Sequence, residues 1–122
     1  MAAPNIVNVT SIYGRTRGQD LTTTTTAGIL TCASNKVLKV NSIIVANIDG
    51  TSAADATISY FNNSQSSTFA LAKTVSVPAD STLVVIGKDS PIYLEESDEL
   101  RGGASANGDL DVVISYEELD DA

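Results

Sequence analysis

The 122-residue chain has no histidine and no tryptophan, a single cysteine, three prolines, and only two Phe and four Tyr. Each scarcity removes a class of chemistry. Without imidazole there is no Ser-His-Asp or Cys-His pair, no general base of that kind near neutral pH, and no ordinary zinc site of nitrogen and sulfur ligands. Cys32 has no partner within the chain, so no intrachain disulfide forms. Beside Ile29 and Leu30 it reads as a small buried hydrophobe rather than a nucleophile. So few aromatics argue against a sugar cleft and against a stacking platform for single-stranded nucleic acid. Seven basic residues against fifteen acidic ones give a net charge of -8, which repels polyanions. Neither G-x-x-x-x-G-K-[ST] nor G-x-G-x-x-G occurs, so nucleotides have no cradle either. Apolar runs reach only about four residues, far short of a membrane-spanning helix. The start of the chain lacks the basic and apolar regions of a cleaved secretion signal. The expectation is a non-enzyme with no cofactor and no metal, and with no nucleic-acid or membrane partner.

What the chain does contain is β-branched and hydroxylated: 13 Thr, 14 Ser, 11 Val and 10 Ile. That composition suits an all-β domain, and a period of two dominates, with no long apolar pattern of helical period. From residue 36 to 48, Leu38, Val40, Ile44, Ala46 and Ile48 share one parity. Ala54, Ala56, Ile58 and Tyr60 alternate with polar residues, as do Leu110, Val112, Ile114 and Tyr116. Phe69, Leu71, Val75 and Val77 keep one parity through a further strand. The run from Leu83 to Ile86 is continuous and suggests burial on both faces. Asn107-Gly108 is a type I′ hairpin signal leading into the last strand. About eight strands, with turns every eight to twelve residues, predict an antiparallel β-sandwich of jelly-roll-like type.

Residues 1–20 are poor in apolar alternation and read as an extended N-terminal arm; residues 21–122 read as one β-sandwich domain. Arg15 and Arg17 fall in a polar loop of that arm, and Thr22 to Thr26 reads as an edge strand with little to bury. Ile6, Val7, Val9, Ile12, Arg15, Arg17, Thr22, Thr24 and Thr26 are therefore the candidate assembly contacts, suited to a homo-oligomer.

The acidity is local. Residues 1–88 carry six basic and four acidic side chains, whereas residues 89–122 carry eleven acidic and one basic. Glu95, Glu96, Asp98 and Glu99 have the charge of a cation site, but neighbouring strand residues face opposite ways and no calcium-loop spacing is present. The favoured reading is a solvated turn, with the acidic tail at residues 117–121 likewise on solvent.

Several segments carry a resemblance. They are Val37-Leu38-Lys39-Val40-Asn41-Ser42-Ile43-Ile44-Val45-Ala46-Asn47, Ala56-Thr57-Ile58, Val77-Pro78-Ala79 and Leu83-Val84-Val85-Ile86. Two more are Ile92-Tyr93-Leu94-Glu95-Glu96-Ser97-Asp98-Glu99-Leu100 and Leu110-Asp111-Val112-Val113-Ile114-Ser115-Tyr116-Glu117-Glu118. In this order they resemble a family of small β-sandwich virion proteins of tailed bacteriophages, notably those of marine cyanobacteria. Where that family has Gly, this chain has Ser97. The resemblance supplies no catalytic side chains. It implies a structural protein of the virion, a capsid decoration protein first, made in the host bacterial cytoplasm and partnered by the major capsid protein. A neck, tail or baseplate component is the alternative, and a glycan- or receptor-binding module is the reading from another class.

Overall fold

The computed structural model describes residues 11–120. Among them are nine strands and no helix: β1 (Ser11–Asp20), β2 (Gly28–Thr31), β3 (Lys36–Asn47), β4 (Ala54–Asn62), β5 (Ser67–Val77), β6 (Thr82–Ile86), β7 (Ile92–Leu94), β8 (Glu99–Ala104) and β9 (Leu110–Asp120). Among the described residues, therefore, no helix is long and apolar enough to cross a membrane.

The topology follows from one long hairpin wrapped on itself. Its apex is the turn between β4 and β5, where Asn62 Oδ1 accepts from the Gln65 amide and the Ser64 hydroxyl. From there the two arms pair antiparallel: β4 with β5, β3 with β6 and β7, β2 with β8, β1 with β9. Wrapping then brings β9 beside β3 and β8 beside β4. The result is two sheets, β1-β9-β3-β6 (with β7 also on β3) and β2-β8-β4-β5. This is the strand order of a jelly roll, the expected fold class.

The core lies between the sheets. Val40, Ile43 and Val45 of β3, Ile58 of β4, Leu100 of β8, and Leu110, Val112 and Ile114 of β9 are all buried there. Tyr60 and Tyr116 stay at its margin. Apart from Cys32, Ala54, Ala56 and Ala104, branched aliphatic side chains fill the interior, which is why strand propensity and core formation coincide in this sequence.

The single parity expected along β3 fails midway. Val40 pairs with Tyr116 and Ser42 with Ser115, so Asn41 is an extra residue, a β-bulge. Its side chain donates to Glu117 Oε2 at 3.1 Å. Beyond the bulge the inward set changes from Leu38 and Val40 to Ile43, Val45 and Asn47, leaving Ile48 exposed. Asn47 is buried without cost in unmet bonds, since its amide donates to Ser52 O and Val77 O and its Oδ1 accepts from the Asp49 amide.

Three further expectations change. The run at Leu83 to Ile86 is strand β6, yet as an edge it buries only Ile86 fully and leaves Val84 60% exposed. Asn107-Gly108 is a turn with Gly108 at φ +79°, but β8 and β9 belong to different sheets, so it bridges the layers instead of closing a hairpin. The acidic tail is not free on solvent. Through Asp120 it forms the end of β9, between β1 and β3.

Candidate assembly surfaces

The candidate contacts divide between strand and loop. Ile6, Val7 and Val9 lie outside the described residues. Arg15 and Arg17 are not in a loop: they belong to β1, which pairs with β9 along all ten of its residues. This makes the second half of the segment read as an arm an integral sheet edge. Backbone pairing holds it there, for its side chains are almost all exposed, Ile12 among them.

Strand alternation puts Arg15 and Arg17 on the face of β1 that looks toward the opposite sheet. Arg17 Nε donates to the Ile29 carbonyl on β2, and its Nη2 reaches Gln19 Oε1 at 3.2 Å. Arg15 pairs with Glu118 at 3.3 Å. Lys36 of β3 meets the same Glu118 at 3.4 Å and Asp120 at 3.0 Å. Its pKa is raised, first by the hydrogen bond to Asp120. The basic partners demanded by the acidic C-terminal strand are thus supplied by its own two neighbours.

Thr22, Thr24 and Thr26 are exposed, as expected, but they are not a strand. The threonine run is the loop that crosses from β1 to β2, that is, from one sheet to the other. Leu21 anchors its start in the core. The Thr22 carbonyl accepts from the Ala104 amide at 2.7 Å, and Asn107 Oδ1 accepts from the Thr23 amide at 2.9 Å. Close approach to β8 requires Gly103, where a Cβ would stand 2.7 Å from the carbonyl oxygens of Thr22 and Thr24. High strand propensity yields here because the chain must change layers at this point.

The acidic turn is a structural knot, with Asp98 only 2% exposed. Its Oδ1 accepts from the Asn63 amide at 2.9 Å; its Oδ2 accepts from the Glu95 amide at 3.0 Å and the Tyr60 hydroxyl at 3.3 Å. It therefore ties the β7–β8 turn to the β4–β5 turn, and its expected exposure is overturned. Burial, with Asp98 nearby, pushes the Tyr60 phenol up. Ser97, at the position where Gly was expected, sits at φ +71°. Among the described residues no group of three or more His, Cys, Asp or Glu side chains converges as metal ligands do.

Cys32 is buried as expected, its thiol facing the Lys36 carbonyl at 3.2 Å and pushed up to about 11, chiefly by burial. A thiol held so far above neutral is a poor nucleophile.

Sequence reasoning missed two features. Asp20 and Asp111 stand directly opposite each other on β1 and β9. Asp111 is raised first by its hydrogen bond to Asp20, then by burial and by the charge of Asp20; its Oδ1 is buried without a partner. Only the register brings them together, 91 positions apart, so no local signal existed. The second is the apolar rim of β5 and β6, where Phe69 (46% exposed) and Val75 (36%) remain uncovered while Leu71, Leu83 and Val85 are partly buried against the core; Val84, opposite Ile44, faces away from it. The alternation of β5 was visible in the sequence, whereas Leu83 to Ile86 read as a continuous run; that both strands are edges was not visible. No protein-family model, curated protein or solved structure matches this chain.

Proposed function

We propose that the chain is a structural protein of the virion of a tailed bacteriophage, a capsid decoration protein that binds the head shell as a homo-oligomer and contacts the major capsid protein. The observation that carries an assembly role is where the polar groups go. Arg15, Lys36, Glu118 and Asp120 of β1, β3 and β9 pair with one another, and Asp98 is consumed by turn amides, while among the described residues a long sheet edge stays unpaired. Such a domain offers surface and backbone, the means by which subunits associate. The virion context comes from the quoted segments and their order. Jelly rolls serve capsids and lectins alike, so fold alone does not choose between them.

A cryo-EM map of the particle tests this reading. Hundreds of copies spread over the head shell are the expected result. A single ring at one vertex would move the protein to the neck or tail, and absence from the particle, coupled with glycan binding by the purified chain, would overturn the virion reading.

A further inference from the structure

The sandwich has four kinds of free edge, and three of them are defended. β1 turns two arginines inward, a device that disfavours the docking of another strand. β2 is four residues long, and Arg17 occupies its Ile29 carbonyl. β6 and β7 have five and three residues. Short or charged edges template little. β5 is different. It runs for eleven residues, pairs only with β4 among the described strands, and exposes Phe69 and Val75. Its defences are a bulge at Leu71, Lys73, and a second bulge where Thr74 takes φ +53° and donates its amide to Thr57 Oγ1. Residues 67–72 carry no charge, and the bulge at Leu71 belongs to the pairing of β5 with β4 on its other side.

The charge distribution says which partner fits. Across residues 67–86, spanning β5, β6 and their turn, the only carboxylate is Asp80. The opposite side of the molecule carries Asp20, Asp111, Glu117, Glu118 and Asp120 on β1 and β9. For a chain of net charge -8, β5 is the long edge on which two copies meet without setting carboxylates against carboxylates.

We infer that β5 pairs antiparallel with β5 of a second copy about a two-fold axis at Ala70, joining two four-stranded sheets into one of eight. In this register Ala70 faces Ala70 of the other copy, Phe69 faces Leu71, and Lys73 lies beside Ser67 at the end of the ladder. The bulge at Thr74 ends the pairing. Small residues at the axis permit close approach, and each apolar side chain meets another. The contact is isologous and closes at two copies, so an exposed edge gives a dimer and not a fibre. This inference rests on the assembly reading above and names the contact through which copies join.

Single-cysteine cross-linking of the full chain tests it, with no interference from the buried Cys32. Ala70→Cys should form a disulfide-linked dimer under mild oxidation, and Thr16→Cys on β1 should not. In sedimentation equilibrium the unaltered chain should dimerise with rising concentration. Ala70→Lys, which sets like charges opposite at the axis, should weaken the dimer about tenfold, and Thr16→Lys should leave it unchanged. A monomer at millimolar concentration, or cross-linking at Thr16 in preference to Ala70, would overturn the inference. Either failure concerns β5 alone, because the particle map judges the virion reading separately.

Discussion

The two sides of the sandwich solve the same problem in opposite ways. On the β1–β2 side, β1 buries little and β2 only Ile29 and Leu30, yet three devices secure them: the arginine contact to Ile29, the ion pairs at Glu118, and a threonine loop seated on Gly103. On the β5–β6 side, Leu71, Leu83 and Val85 pack on the core but stay only partly buried, and the longer strand is guarded by Lys73 and two bulges instead of by ion pairs. The difference teaches that exposure alone does not mark a contact surface. β1 is the more exposed strand, but its edge is occupied by its own charges; β5 combines exposure with an edge that carries no carboxylate.

Substitutions can break either side of this comparison. The largest effect is expected from Gly103→Ala, which drives a methyl group into the carbonyls of Thr22 and Thr24 and lifts the loop that moors β1 and β2. Overpacking against backbone should cost about 3 kcal/mol in a urea titration. Next is Asp98→Ala, which strands the amides of Asn63 and Glu95 and frees the turn at the head of β5. A loss of about 2 kcal/mol is expected, with faster amide exchange at residues 62–67. Ser97→Gly acts in the other direction, since glycine holds φ +71° without strain, and a gain of about 1 kcal/mol should appear as a higher thermal midpoint.

The smallest change concerns the far end of β1. Asp111 has a raised pKa in the folded chain, so the folded state holds its proton more tightly than the unfolded one. Its stabilising contribution is complete below the ordinary Asp value and is lost as pH rises through the raised one. At pH 7 the two opposed carboxylates repel. Asp111→Asn should therefore stabilise the protein by about 0.5 kcal/mol at pH 7, with the gain vanishing near pH 3. Thermal melts at the two pH values check this.

Much of the fold was legible because its rule is simple. Strands with a buried face alternate, and β4 and β9 sit where alternation placed them. Misreadings arose where the chain leaves one sheet for the other or changes phase. Thr22–Thr26 has strand propensity but crosses layers, Asn107-Gly108 has a hairpin signal but joins two sheets, and the Asn41 bulge inverts the second half of β3. Arg15 and Arg17 looked like loop charges because β1 buries almost nothing, and a strand held only by its backbone ladder has no apolar period to show. Asp98 looked solvated among four acids, since local charge does not report a carboxylate that caps a turn distant in sequence.

Concentration-dependent hydrogen exchange is the most direct test of the contrast between the two edges. On raising the protein concentration, the free-edge amides of residues 67–73 in β5 should gain protection while those of β1 do not change. Equal behaviour of the two edges, or protection that grows on β1 and not on β5, would contradict the account.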